Sequence, residues 1–252
     1  MYRYLIVLSM VVLSVACQAE SQQPALRIVT ELSPPHQTLE NGEVAGISTS
    51  IVKAVLQQAG LDASIEVYPW ARAYYIASNT PNVLIYNIAR TPERETEFHW
   101  IGPVASYRLG LARLAERTDL NPSRPEQLQN YSVAAQRDDF AVEVLASYGL
   151  KAGRDIQLAA DILESWRLLL NGKVDYVIDD AMAIPYTEQQ LKLPEGTVRF
   201  VLAIKELEQQ TYLAASKNTD PALLQKLLDA HQQIQSQQLY QQVMLAPHQA
   251  QP

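Results

Sequence analysis

The residues best suited to ligand chemistry follow an apolar run at 83–85 and include Arg90 and Arg94. Between the two arginines, Pro92 fits the first position of a helix, because an N–H at that position would have no partner. The sequence therefore predicts a helix starting at Pro92, with Thr91 capping its free amide groups. Backbone amides, a hydroxyl group and a forked guanidinium all donate hydrogen bonds, so this corner suits a carboxylate. The alternative is a surface turn with solvated arginines.

A second candidate site is the pair of adjacent acids Asp179 and Asp180, which end the hydrophobic segment 174–178. Two carboxylates at the end of a predicted strand could contact a ligand, because ligands of open α/β sheets bind beyond the carboxyl ends of strands. The alternative is that Asp180 caps the helix predicted at 181–191 and that Asp179 is solvated.

Three further positions are candidates for ligand contact. Glu31 follows the first predicted strand, although an exposed loop carboxylate is the alternative. Trp70 could stack on a ligand while Arg72 binds an anion, or Trp70 could simply pack in the core or at its rim. Arg137 lies after a later strand, where a second lobe could close on an anion.

Metal and thiol chemistry are not expected. His99 has no partner at the spacing of metal ligands, and the remaining histidines are scattered through the chain (His36, His231 and His248). The single cysteine, Cys17, lies ahead of the predicted folded part. We therefore predict no metal, no cofactor and no disulfide bond.

The composition is that of a globular protein. Of 252 residues, 48% are hydrophobic and 19% are charged, which allows one large domain or two lobes. There are 20 Lys and Arg residues against 27 Asp and Glu residues. This acidic balance argues against a nucleic-acid-binding protein, which would carry a basic face.

Residues 1–19 have the pattern of a secretory signal peptide. Their apolar run at 5–16 is too short for a transmembrane helix. Cleavage after Ala19 would place small residues at both required positions and would remove Cys17. The alternative is a lipoprotein anchored through Cys17, but Ser14 occupies the position where lipoproteins usually have an aliphatic residue. The first reading predicts a protein released into the periplasm.

Apolar strands alternate with amphipathic helices along the rest of the chain, which predicts an α/β fold. The predicted strands are 26–30, 65–68, 83–85, 107–114, 131–135, 156–158, 174–180, 198–204 and 211–215. The other predicted helices are 47–58, 70–77, 136–148, 162–170 and 221–243, and residues 246–252 are predicted to form a disordered tail. The strand at 107–114 is long enough to cross between two lobes.

The order of these motifs resembles that of the bacterial extracellular solute-binding proteins of family 3, the polar amino-acid-binding receptors of ABC importers. The resemblance covers nearly the whole mature chain. Its parts are the signal peptide, ELSPP at 31–35, Gly46, IARTPERETEF at 88–98, GKVDYVIDD at 172–180 and YLAAS at 212–216.

The resemblance implies the two-lobe, type II periplasmic-binding-protein architecture with two crossover strands. The first lobe would combine residues 20–110 with 206–252, and the second would span 111–205. It further implies a monomer without enzymatic activity that binds a small polar ligand, an amino acid or related carboxylate, and delivers it to an inner-membrane ABC permease.

The resemblance also implies roles for individual residues. Arg94, together with Thr91, corresponds to the pair that binds the α-carboxylate of the ligand. Asp180 corresponds to the acid that binds the ammonium group. A bidentate cation at one end and a carboxylate at the other would match a zwitterion.

The chain departs from the family pattern in two places. Ala89 stands where the family usually has a serine, and Gln136, Arg137 and Asp138 replace a Gly-Thr turn that also receives the carboxylate. An additional cation at Arg137 or Arg90 would suit a ligand with more negative charge.

Two other functions remain open on this fold. One is a periplasmic enzyme similar to the cyclohexadienyl dehydratases, in which Glu31 would be the general acid; that role needs a raised pKa. The other is a sensory module that presents its ligand to a membrane partner.

Overall fold

The computed structural model describes residues 26–245. The signal peptide at 1–19, cleavage after Ala19, the lipid-anchor alternative at Cys17 and the tail at 246–252 lie outside these residues. No helix within the described part is both long and apolar enough to span a membrane.

The described chain alternates strands and helices. The strands are β1 (Arg27–Thr30), β2 (Thr38–Glu40), β3 (Glu43–Ala45), β4 (Ser64–Val67), β5 (Val83–Ala89), β6 (Phe98–Leu114), β7 (Val133–Gln136), β8 (Ile156–Ala159), β9 (Tyr176–Asp180) and β10 (Val198–Ser216). The α-helices are α1 (Ile47–Ala59), α2 (Trp70–Asn79), α3 (Phe140–Ser147), α4 (Ile162–Leu170), α5 (Ala183–Gln190), α6 (Pro221–Ile234) and α7 (Gln238–Leu245). A 3₁₀ helix lies at Pro125–Asn130.

Two long antiparallel strands, β6 and β10, join the two halves of the molecule. The sheet order is β4-β1-β5-β10-β6-β9-β7-β8, with parallel strands on both sides of this central pair. The sequence predicted separate strands at 198–204 and 211–215. They form one strand because β10 pairs with β6 on both sides of a register shift between Ala203 and Glu208.

The hydrophobic core has separate parts on either side of this pair. In β1, Ile28 and Val29 point to opposite faces and pack into different clusters, as expected for alternating side chains. In β9, Val177 and Ile178 also point to opposite faces of the sheet and pack into two other clusters. The molecule is therefore a two-lobe α/β protein, as predicted. The exact lobe boundaries, near residues 110 and 205, remain predictions.

Two predicted helices differ from the structure. The segment after Thr91 is a turn at 92–97, not a helix. It is held by hydrogen bonds from Arg94 N to Thr91 O and from Glu97 N to Arg94 O, and it is short because β6 begins at Phe98.

The predicted helix at 221–243 is two helices, α6 and α7, separated after Ile234. Ile234, Tyr240 and Met244 all pack into the same cluster of the first lobe. The change of direction lets the apolar residues of both helices reach this cluster.

Gly110 lies where β6 crosses between the lobes, opposite Ala203 of β10. A Cβ atom at this position would lie 2.1 Å from the carbonyl oxygen of Leu202 and 2.8 Å from the Cα of Ala203. We expect Gly110→Ala to lower the free energy of unfolding by about 1–3 kcal/mol, or more, because backbone atoms cannot move aside as a flexible side chain can. Urea denaturation measures the change. An unchanged unfolding midpoint would show that β6 and β10 can move apart at Gly110 without a loss of stability.

Candidate functional site

A cavity of about 70 Å³ lies between the two lobes, with room for several water molecules. Parallel strands of both lobes end at it, as is usual for ligand sites of α/β proteins. The ionisable groups that line it are Glu31, Arg94, Tyr107, Asp139 and Asp179.

Arg94 is the cation of the cavity wall, and only 5% of it is exposed. Its Nη2 donates to the carbonyl oxygen of Asp138 at 3.0 Å, and its Nη1 donates to that of Ala89 at 3.5 Å. The guanidinium carbon lies 5.0 Å from the ring centre of Tyr74 and 5.7 Å from that of Trp70. A guanidinium has five N–H donors, so Arg94 can still donate to a ligand.

The lobes touch at the backbone of Asp138. Its carbonyl oxygen, in the second lobe, accepts a hydrogen bond from Trp70 Nε1 at 2.9 Å as well as the one from Arg94. Asp138 has a φ of 60°, a left-handed conformation that Asp adopts more readily than most residues. Trp70, Arg94 and Asp138, all candidates from the sequence, thus meet here. Asp138 contributes its backbone carbonyl group to this contact and not its carboxylate.

Thr91 and Asp180 have local roles and do not line the cavity. The hydroxyl of Thr91 accepts from the backbone N of Arg94 at 3.4 Å. The two carboxylate oxygens of Asp180 accept from the backbone N of Arg108 and of Met182, each at 2.8 Å. The second contact lies just before α5, but the N-cap of this helix is Met182 and the helix has no side-chain cap, so Asp180 is not the cap that the alternative expected.

Asp179 lines the cavity instead, and it is buried rather than solvated. Its Oδ2 accepts from Trp166 Nε1 and its Oδ1 from the backbone N of Asp180, both at 2.8 Å. Burial raises the pKa of Asp179 to about 7, although both hydrogen bonds favour the charged form.

Glu31 extends from the carboxyl end of β1 into the cavity and is 8% exposed. Its Oε2 has no hydrogen-bond partner. Burial, followed by the nearby charge of Asp139, raises the pKa of Glu31 well above its ordinary value, and the side chain of Gln136 partly offsets this.

Asp139 is the N-cap of α3, where its Oδ1 accepts from the backbone N of Ala141 at 2.7 Å. Burial raises the pKa of Asp139, while the charge of Arg94 acts in the opposite direction. Asp139 was not among the candidates from the sequence. Its place at the start of the helix predicted after the strand at 131–135 was the available signal.

The hydroxyl of Tyr107 joins several polar side chains on the first-lobe side of the cavity. It accepts from Asn87 Nδ2 at 2.9 Å and lies 3.1 Å from Gln37 Oε1 and 3.2 Å from Ser33 Oγ. Thr211 donates to Asn87 Oδ1 at 3.1 Å. These contacts hold this side of the cavity wall in place. No sequence pattern groups these residues, because they lie far apart along the chain.

The additional cations considered in the sequence do not line the cavity. Arg72 is exposed beside the ring of Tyr68, and Arg137 is exposed as well. Arg90 forms an ion pair with Glu95 on the surface. The cavity wall therefore has three carboxyl groups against one guanidinium, which contradicts the expectation of a site for a more negative ligand.

Solved structures share this two-lobe fold. A histidine kinase sensor domain similar to periplasmic binding proteins has 19% identity and a TM-score of 0.75, covering 87% of this chain and 94% of that one. An ancestral arginine-binding protein bound to glutamine has 19% identity and a TM-score of 0.74, covering 88% and 96%. The arginine-, lysine- and histidine-binding protein ArtJ of Geobacillus stearothermophilus has 18% identity and a TM-score of 0.72, covering 87% and 94%. At these identities the likeness shows the fold alone.

The fold and the interlobe cavity define a two-lobe binding protein of the periplasmic type. The family model of the bacterial extracellular solute-binding proteins, family 3, matches residues 26–245, and the chain belongs to this family. No curated protein sequence matches the chain.

Proposed function

We propose that this protein captures a small polar solute, an amino acid or a related carboxylate, in the periplasm and delivers it to an inner-membrane ABC permease. The observation that carries the proposal is the cavity between the lobes, lined by Arg94 from one lobe and by Asp139 and Asp179 from the other. Charged groups on both lobes let one ligand hold the lobes together without any chemical step.

Within this proposal, Arg94 binds the carboxylate of the ligand. The resemblance placed the ammonium group at Asp180, but we place it at Asp179, because Asp179 lines the cavity and both oxygens of Asp180 accept from backbone amides. A buried guanidinium from one lobe and a buried carboxyl group from the other match the two ends of a zwitterion.

Ligand binding is expected to compact the protein, because a ligand that contacts both lobes favours the closed form. At a hundredfold excess over Kd, such a ligand stabilises the bound form by about 2.7 kcal/mol. Native mass spectrometry of protein purified from periplasm identifies the retained solute, and small-angle scattering with and without it measures the radius of gyration. An unchanged radius at saturation would contradict capture by closure.

The buried position of Glu31 in the cavity wall, where burial raises its pKa, supports a second candidate function. A carboxyl group with a raised pKa beside a bound solute can donate a proton to a leaving group, as a general acid must. Incubating the protein with its retained solute and following the solute by NMR tests this. Conversion of the solute that is lost in Glu31→Gln would establish an enzyme.

A further inference from the structure

We propose that the ligand carries a net positive charge, with its ammonium group at Asp179, a second cationic group held by Glu31 and Asp139, and its carboxylate bound by Arg94. This inference rests on the proposed function and names the ligand class of the same cavity. It differs from the zwitterion matched by Arg94 and one acid in requiring a second cationic group.

The wall of the cavity has three acidic side chains and one cationic side chain. Glu31 comes from the end of β1, Asp139 from the start of α3 and Asp179 from β9, so the acids surround the cavity from three elements. Arg94 is the cation among its described lining residues. If Arg94 pairs with a ligand carboxylate and one acid with an ammonium group, two acids remain for a further cation.

Glu31 has an unpaired oxygen atom. Its Oε2 is buried and has no hydrogen-bond partner in a side chain that is only 8% exposed. An unsatisfied buried polar atom is unfavourable, so a native site normally provides a partner for it. A hydrogen-bond donor on the ligand would be such a partner, and a cationic donor forms the stronger bond.

A metal ion would be a different explanation for clustered acids. Among residues 26–245, no group of three or more Asp, Glu, His and Cys residues is arranged to hold one. Asp139 and Asp179 each already accept a backbone hydrogen bond, and Asp179 also accepts from Trp166. This spread of carboxyl groups suits an extended organic cation with several N–H donors.

Proton binding provides an independent readout. Burial raises the pKa of Glu31, Asp139 and Asp179, the last to about 7, so part of this cluster is protonated near neutral pH. The other ionisable groups that line the cavity are Arg94 and Tyr107, and from outside it the charges of Asp161 and Asp180 act on Glu31 and Asp179. A bound cation stabilises the ionised form of these acids, so the acids must lose protons when the cation binds. Its affinity should rise with pH between about 5 and 8.

The test compares pairs of probes that differ in one charge. L-Arginine is paired with the neutral L-citrulline, and L-lysine with L-norleucine, with L-glutamate as an acidic probe. Calorimetry on protein freed of retained solute by unfolding and refolding measures each affinity. We expect at least one cationic probe to bind at least tenfold more tightly than its neutral partner. The measured heat of binding should also vary with the ionisation enthalpy of the buffer, because the released protons are taken up by the buffer.

Glu31→Gln should weaken binding of the cationic probe at least tenfold and reduce the number of protons released. The matched control is Glu195→Gln, which removes the same charge from an exposed position outside the cavity and should leave both quantities unchanged.

The outcomes separate this inference from the proposed function. Tighter binding of citrulline, norleucine or glutamate than of the cations would overturn the charge inference while supporting solute capture. Failure of both cationic probes to bind would also overturn it. Capture itself fails only if the protein retains no solute from periplasm and binds none of the five probes.

Discussion

Replacing Arg94 with alanine is expected to weaken ligand binding by roughly 30-fold to several thousandfold, because losing one member of a buried charge pair typically costs about 2–5 kcal/mol. Arg94 is buried, lines the cavity and makes its two hydrogen bonds to carbonyl oxygens, not to carboxylates. Its remaining donors are therefore available to an anionic group. Calorimetry with the solute retained from periplasm measures the loss.

Arg90→Ala is the matched control for this prediction. Arg90 is four residues from Arg94 in the same connection, but it is paired with Glu95 at the surface and does not line the cavity. Its removal should change ligand affinity little. Wild-type affinity in a folded Arg94→Ala variant would show that the carboxylate binds elsewhere.

A double-mutant cycle with Asp179→Asn tests whether one ligand joins the two lobes. If Arg94 and Asp179 bind opposite ends of the same molecule, the two losses should not add, because each anchor helps hold the lobes closed for the other. Asp180→Asn is the comparison at the neighbouring position. A larger loss of affinity from Asp180→Asn than from Asp179→Asn would restore the role that the family resemblance implied.

Trp166→Ala is expected to lower the free energy of unfolding by about 3–5 kcal/mol, the usual cost of removing a large aromatic side chain from a core. Trp166 is fully buried in α4 and packs with Ile162, Leu169 and Val177 in the second lobe. Urea denaturation monitored by circular dichroism measures the change. A loss below about 1 kcal/mol would mean that the surrounding side chains collapse into the space.

Trp166→Phe separates the packing of this residue from its hydrogen bond to Asp179. The phenylalanine ring fills most of the space but has no N–H to donate to Asp179 Oδ2. Because that bond favours the charged form, its loss should raise the pKa of Asp179 further above about 7. NMR titration of the carboxyl carbon measures this pKa. An unchanged value would show that burial alone determines it.

The raised pKa values also determine how the ligand-free protein responds to pH. Asp179 has an ordinary pKa of 3.8 and a folded-state pKa of about 7. Its protonated form favours the folded state, so this contribution to stability is full below the ordinary value and is lost as pH rises through the folded value. Glu31 and Asp139 act in the same direction.

The sequence was sufficient to predict the class of fold. Helices such as α1 and α4 follow from apolar residues at helical spacing, and strands such as β1 and β9 follow from short apolar runs. These patterns are local, and their order along the chain carried the resemblance that the family match confirms.

Helix ends and strand lengths were harder to predict, because pairing partners decide them. The run after Thr91 carries a helix-start pattern, yet it must turn back into β6 within a few residues. β10 continues through the mostly polar segment 205–210 because β6 supplies partners on both sides of the register shift. Local propensity contains no information about such partners.

The sequence by itself determined which segments end in charged residues: Glu31, Arg94 and the Asp179–Asp180 pair were all recognised as candidates. Only the tertiary structure decided between the neighbours Asp179 and Asp180, because the orientation of β9 places one carboxyl group in the cavity and the other against backbone amides. It also brought Asp139 close enough to raise the pKa of Glu31. The net charge of a cavity depends on which side chains share it, and residues from separate strands come together only when the chain folds.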